Sequence, residues 1–478
     1  IEEGTHASLT AGDVAAYAGG RMSLAGEREE QKDSGSREGV TRRGWLRGLA
    51  VAGAGTVASA ASAACAPGTG SESVPARSTA PVQIIYTDWE PADGAQIQET
   101  VIAEFRKQTP HVTVDYQKNP DPYFPKLQTL IVAGTPPDAY ALSQPDLVSL
   151  IAQSSVADLD AYVKTDAKSV DAADFFKVHL DAWRVNGKQM ALPRDGGGVV
   201  VFYNKSLFDA QNITPPAAGY TWDQWLDVAK RVSTKEGPAG PIYGATRNGP
   251  ADWVHWVWQN GGDFLDKDAK RSTLESAEAV EALQYHADLI HKHGVMPPVS
   301  AYGTEQEDAM GLFIQGKAAM YFGLRSGMQR MRAITGFKLE AMPHPQKKNR
   351  LTPLNTTAVL LPKGGKKNDA AWLLLRHMTS TEGQLKRMEQ GGAVPSRNSV
   401  AKAPTYLSFR SPAMASDRIN TIFPDMARED AVRLRPQTAR WTELLSMANA
   451  DIGELYTGTA AAAEVAKRLT PKVGELLK

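Results

Sequence analysis

The run Val82-Gln83-Ile84-Ile85-Tyr86-Thr87-Asp88-Trp89 sets the architecture. Its first five residues are largely apolar and rich in β-branched and aromatic side chains, which predicts a buried strand over 82–86. The strand gives way to Thr87-Asp88-Trp89, and open α/β sheets bind ligands in loops at the carboxyl ends of their strands. Ile97, Val101 and Phe105 then recur at helical spacing until Pro110 ends the helix. A return to strand over 112–116 completes the unit from which α/β folds are built.

The alternation continues outward from this unit. Residues 124–133 predict a second helix, Gly134-Thr135-Pro136-Pro137-Asp138 a turn, and 139–142 a third strand. Val199-Val200-Val201-Phe202-Tyr203-Asn204 is a continuous apolar strand, followed by a helix holding Trp222, Trp225 and Leu226. Residues 278–291 and 307–316 read as amphipathic helices, 337–342 and 357–361 as strands, and 460–477 as a C-terminal helix. No fixed period repeats along the chain, which rules out solenoid and propeller arrays.

Bulk properties narrow the function. A chain of 478 residues exceeds one ordinary core, so two lobes with extra terminal segments are expected. Lys and Arg number 53 against 53 Asp and Glu, a balance with no basic field for nucleic acid. The single cysteine, Cys65, excludes an internal disulfide and any cysteine-based zinc or iron–sulfur site. His291-Lys292-His293 is a poor metal site, because two imidazoles at a helix end lack a carboxylate cluster.

Upstream of residue 82 the sequence reads as an address. Thr41-Arg42-Arg43-Gly44-Trp45-Leu46-Arg47 precedes a weakly apolar run over 48–64 and then Cys65, the layout of an export signal. The paired arginines resemble a twin-arginine signal, and the small residues before Cys65 resemble a lipoprotein cleavage box. Ser62 stands where lipoproteins usually carry Leu, so an ordinary cut after Ala60 or Ala63 stays open beside lipidation of Cys65. Residues 1–40 read as disordered or as a mis-assigned start, with Met22 as the alternative beginning, and 66–81 as a flexible tether.

Gly134-Thr135-Pro136-Pro137-Asp138, Ala191-Leu192-Pro193, Phe202-Tyr203-Asn204-Lys205-Ser206-Leu207-Phe208, Thr221-Trp222-Asp223-Gln224-Trp225, Phe313-Ile314-Gln315-Gly316-Lys317-Ala318-Ala319-Met320 and Gly392-Ala393-Val394-Pro395 carry a family resemblance. In this order and spacing they resemble extracellular solute-binding proteins of family 1, the maltose-binding type, over residues 82–478. The resemblance implies a two-lobe α/β fold, periplasmic-binding-protein-like and of type II, with a hinge of crossover strands near Arg194, Pro353 and Val394. One lobe would hold 82–193 and 354–393, the other 194–353 and 394–478. It further implies a non-catalytic, monomeric lipoprotein on the outer face of the cytoplasmic membrane, without cofactor or metal. Such a protein binds a carbohydrate and delivers it to the membrane subunits of an ABC permease served by a separate ATPase.

Sugars present apolar faces and a rim of hydroxyls, so their sites combine flat aromatic walls with fixed donors and acceptors. The richest aromatic stretch is Asp252-Trp253-Val254-His255-Trp256-Val257-Trp258, where helical spacing puts Trp253 and Trp256 on one side. The resemblance places the start of this stretch beside the cleft, making Trp253 the expected wall, with Asp252 and Asn248 near it. Asp88 and Trp89 match the family's ligand-contacting loop, and Ser143-Gln144 an address of hydroxyl-reading residues. Arg194-Asp195-Gly196-Gly197-Gly198 lies at the first crossing, where glycines let the backbone bend and approach a ligand closely. Asp195 is an expected hydroxyl acceptor. Asn355 at the second crossing and Trp441 at a late helix start complete the candidates.

Arg325 stands where relatives often carry a tryptophan, which points to an anionic or more polar cargo, since guanidinium binds carboxylates in bidentate fashion. A glycerol-phosphate-type solute paired by Arg194 and Arg325 is thus the alternative cargo. A secreted glycoside hydrolase using Asp88 and Asp195 is the alternative of another class, but no nucleophile elbow or zinc motif accompanies them.

Overall fold

The computed structural model describes residues 78–90, 92–119, 122–235, 240–247, 252–302 and 305–478. Residues 1–77, with Cys65 and the expected export signal and most of the expected tether, and Asn248 lie outside the described residues. Two sheets organise the described chain, built from β1 (Val82–Asp88), β2 (Val112–Lys118), β3 (Ala139–Ser143), β4 (Leu192–Gly197), β5 (Val200–Asn204), β6 (Met320–Gly323), β7 (Leu339–Met342) and β8 (Asn355–Leu360). The first sheet has the order β2-β1-β3-β8-β4, with β1 parallel to both neighbours and β8 antiparallel to β3 and β4. The second has the order β6-β5-β7, antiparallel throughout. Only Gly198 and Val199 separate β4 of the first sheet from β5 of the second.

Each sheet is covered on both faces, which explains why its central strands read as unbroken apolar runs. Along β5 the side chains alternate: Val201 and Tyr203 enter one core with Trp222, Trp225 and Trp256, while Val200 and Phe202 enter another with Phe313 and Phe423. In the first sheet Ile84 and Tyr86 pack with Val101, Phe105 and Trp372, whereas Leu142 and Ala358 pack with Trp183 on the opposite side. The described chain is therefore a two-lobe α/β fold.

The helices that matter for the site are α1 (Ala92–Gln108), α2 (Trp222–Val232), α3 (Trp253–Gln259), α4 (Ala277–His291), α5 (Asn368–Met378), α6 (Thr381–Met388) and α7 (Trp441–Thr457). A capping box starts α2: Thr221 Oγ accepts from the Gln224 amide at 3.3 Å, and the Gln224 side chain accepts from the Thr221 amide at 2.9 Å. That cap fixes the entry of Trp222 and Trp225 into the core. Although α5 and α6 lie far along the chain, α5 joins the core beneath β1 and α6 sends Arg387 to meet Gln98 of α1.

Two expectations about the strands need correction. β1 runs on through Asp88, which pairs with Lys118, so Thr87 and Asp88 belong to the strand and only Trp89 and Glu90 begin the loop. The stretch Leu192-Pro193-Arg194-Asp195-Gly196-Gly197 is likewise a strand, paired with β8, and not a bend. Its glycines serve close approach to protein: a Cβ on Gly196 would lie 2.8 Å from Thr356 Cβ, and one on Gly198 would lie 2.3 Å from the Met426 carbonyl. Pro193, Gly196 and Gly197 hide this strand from sequence reasoning, because they are the residues that usually end one.

Candidate functional site

The carboxyl ends of β1, β3 and β4 and the start of β8 meet the loop after β6 and the first turns of α7 around a cleft of about 880 Å³. Its walls include Trp89, Ser143, Arg194, Asp195, Arg325, Asn355 and Trp441, all expected from the sequence. Two indoles thus border the space. Trp89 is half-buried and leans on Tyr123 with ring centroids 5.3 Å apart. Trp441 is 2% exposed and meets Phe264 edge-on at 5.7 Å.

Four candidates sit elsewhere. Trp253 is fully buried, with its ring edge-on to Phe264 at 5.4 Å and its Nε1 donating to Asn449 Oδ1 at 2.9 Å. Phe264 and Asn449 therefore stand between Trp253 and the cleft, and the expected wall is a residue of the layer behind it. Asp252 is buried with it, 3.6 Å from both His255 Nδ1 and His286 Nε2. Gln144 is buried beneath the cleft floor. Asp88 is also fully buried and reaches the cleft only through its partners.

Those partners form the charged floor of the site. Arg194 extends from β4 and donates through Nη1 to Asp88 at 3.4 Å, through Nη2 to Glu90 at 3.0 Å and through Nε to Asp195 at 3.1 Å. Arg387 comes from α6 and meets the same acids, with Nη2 on Glu90 at 2.5 Å and Nε 3.1 Å from Asp195. Tyr116 donates to Asp88 at 2.6 Å and Thr357 to Asp195 at 2.6 Å. Three carboxylates are thus bound by two guanidiniums and a ring of hydroxyls.

The electrostatic consequences differ by residue. Burial works against the charged form of Glu90, but Arg387 and Arg194 outweigh it and hold the carboxyl at about 2. Burial prevails at Asp88 and raises its carboxyl above the ordinary range despite Arg194. Across the cleft, burial pushes Asp146 up to about 6 against the pull of Arg435 and a hydrogen bond with Thr442. Arg435 in turn donates to Asn355 Oδ1 at 2.8 Å, which fixes that amide on the wall.

Sequence reasoning singles out neither Glu90 nor Arg387. Glu90 was within reach, since it follows Trp89 in the same loop. Arg387 carried no local signal, because its partner Glu90 lies 297 residues away. Chemically the arrangement offers the indole surface of Trp89, fixed carboxylate and amide acceptors, and guanidinium donors. Among the described residues no cluster of three His, Cys, Asp or Glu could hold a metal, and no helix is long and apolar enough to cross a membrane.

Comparison with known proteins agrees with this geometry. A protein of Brucella abortus (strain 2308) described as a binding protein is 24% identical over 406 residues, 83% of this chain and 93% of its own. The ABC substrate-binding protein of Listeria monocytogenes, solved in complex with cycloalternan, superposes with a TM-score of 0.73 at 23% identity, covering 83% of this chain and 98% of that one. UgpB of Mycobacterium tuberculosis, solved in complex with glycerophosphocholine, superposes with a TM-score of 0.71 at 16% identity over 83% of this chain and 98% of that one. The fold is that of type II periplasmic binding proteins. The model of the family described as bacterial extracellular solute-binding protein matches residues 88–385, more than half of the chain, and the chain belongs to that family.

Proposed function

We propose that the protein is the extracytoplasmic substrate-binding subunit of an ABC importer, that its cargo is a sugar or oligosaccharide, and that it acts by binding without catalysis. The observation that carries this reading is a cleft in which Trp89 offers an apolar face, backed along the wall by the buried Trp441, beside Ser143, Asp195, Asn355 and Thr357 as hydroxyl partners. The cycloalternan held by the Listeria neighbour is a ligand of this chemistry.

Mechanism follows from the crossings. Residues 82–197 with 354–393 form one lobe in this reading, and 199–353 with 394–478 the other, the first crossing lying at Gly198 and not at Arg194 because β4 pairs with β8 through Gly197. The chain passes between them at Gly198, at Pro353 and at Val394, whose carbonyl accepts from the Gly196 amide at 2.9 Å. Cargo touching both walls favours the closed form by its extra contacts there, and closure is what the permease reads. An anchor at Cys65 after twin-arginine export would hold the protein at the outer face of the cytoplasmic membrane, as a monomer. A Cys65→Ala chain released from the membrane fraction would support the anchor, and one retained there would remove it.

The test of the function is thermal-shift screening of the full chain against mono- and oligosaccharides, followed by calorimetry. At least one saccharide raises the melting temperature and is recovered chemically unchanged. Turnover of a saccharide, or stabilisation by none, would overturn the reading.

A further inference from the structure

The cleft is unevenly charged. Its walls carry five guanidiniums among the described residues, Arg194, Arg325, Arg330, Arg387 and Arg435, against the carboxylates of Glu90, Asp146 and Asp195. Arg194 and Arg387 are matched by Glu90, Asp195 and the underlying Asp88, and Arg435 faces Asp146. What is left over follows β6 on one wall: Arg325, in the turn Arg325–Gly327, and Arg330, on the short helix Met328–Met331, pair with no carboxylate among the described side chains.

Arg325 is 1% exposed. Its Nη1 donates to the carbonyls of Gly392 and Ala393, and its Nη2 reaches Asn420 Oδ1 at 3.5 Å. Its guanidinium stacks over Tyr406, Phe409 and Phe423 at 4.8, 5.3 and 5.7 Å, while its Nε has no hydrogen-bond partner. Carbonyl dipoles and ring faces satisfy donors, but they do not neutralise a buried positive charge. Burial accordingly pulls Arg325 below its ordinary value, with no acid to restore it. Arg330 lies exposed on the same wall, free to swing its fork onto a bound group.

We propose that the cargo is an acidic saccharide whose carboxylate or phosphate is gripped by the exposed Arg330 on the wall behind which the uncompensated charge of Arg325 is buried, with its neutral rings lying toward Trp89 and the hydroxyl-reading floor. The inference rests on the carbohydrate reading above and adds the charge of the cargo. The oxyanion supplies the counter-charge that the protein withholds from Arg325, and the fork of Arg330 closes over it from the rim. Neutral sugars lack that gain.

Calorimetry on the full chain with matched probes tests this: glucuronate and glucose 6-phosphate against glucose, trigalacturonate against maltotriose, and glycerophosphocholine. At least one acidic saccharide binds ten or more times as tightly as its neutral counterpart, and its affinity falls as NaCl rises from about 0.05 to about 0.5 M. The uronate and phosphate arms identify which oxyanion is held. Arg330→Ala, at an exposed position, cuts the preference by about tenfold, and Arg330→Lys restores part of it. Neutral saccharides binding as tightly as acidic ones, or a preference indifferent to Arg330→Ala, overturns the inference and leaves the carbohydrate reading standing. Binding of glycerophosphocholine with no saccharide bound overturns the carbohydrate reading itself.

Discussion

Asp146 shows how a single side chain can be held against its own preference. It follows β3 on the cleft wall, and burial raises its carboxyl to about 6 although Arg435 and Thr442 favour the charged form. A carboxyl whose folded value exceeds its unfolded value of about 3.9 binds a proton more tightly in the native state. Its stabilising contribution is therefore present below about pH 4 and is lost as pH rises through 6. For a partly exposed group this amounts to roughly 1–3 kcal/mol of destabilisation at neutral pH. Asp146→Asn should then melt several degrees above the parent at about pH 7.5 and together with it at about pH 4, as read by differential scanning calorimetry. A variant less stable at neutral pH would mean instead that attraction to Arg435 outweighs burial.

At the scale of elements, α3 separates what a sequence tells from what it withholds. Helical spacing puts Trp253 and Trp256 on one side, yet every residue of α3 from Trp253 to Gln259 is buried. Periodicity gives the sides of a helix but not what covers them, and here Phe264 covers Trp253 while Trp222 and Trp225 of α2, His286 of α4 and Phe322 of β6 enclose Trp256. The elements read from the sequence lie within a few residues of their expected places, because two-faced strands and amphipathic helices carry their periods locally, whereas β6, α5 and α6 were not read from it. Nor was β4, because its glycines Gly196 and Gly197 are fixed by packing against Thr356 and Val394, residues distant in sequence. The site divides the same way: Trp89, Ser143 and Asp195 sit at strand ends and could be placed, whereas the ion pair of Glu90 with Arg387 is made only by folding. These placements predict opposite phenotypes for two indoles. Trp253→Ala should lose about 3–5 kcal/mol of unfolding free energy with cargo affinity little changed, whereas Trp89→Ala should lose affinity about tenfold or more with a small change in melting. Urea unfolding and calorimetry on both variants check this, and equal affinity losses would return Trp253 to the cleft wall.

Across the whole molecule, the response to acid is set by which buried groups gain or lose protons on folding. His179 lies against Gly196 in the first lobe and His344 packs on Phe322 in the second, both fully enclosed. Burial lowers each imidazole to about 4. Their unfolded value is about 6.5, so the stability they represent is complete above that pH and is lost as pH falls toward 4. Asp146 runs in the opposite sense over about pH 4–6, and Glu90 adds a loss only between about 4.5 and 2. His255 and His286 are enclosed as completely and lowered in the same sense, so four imidazoles stand against the carboxyl of Asp146 and stability declines net between pH 6 and 4. The melting temperature should therefore fall as pH drops from about 7 to 4.5, and Asp146→Asn should steepen that fall by removing the opposing group. Because His179 serves the first lobe and the other three the second, neither half escapes the loss, and the cleft between them fails with both. A melting temperature that stays level or rises over this range, measured by calorimetry in buffers of constant ionic strength, would show that the enclosed imidazoles keep their ordinary affinity for protons.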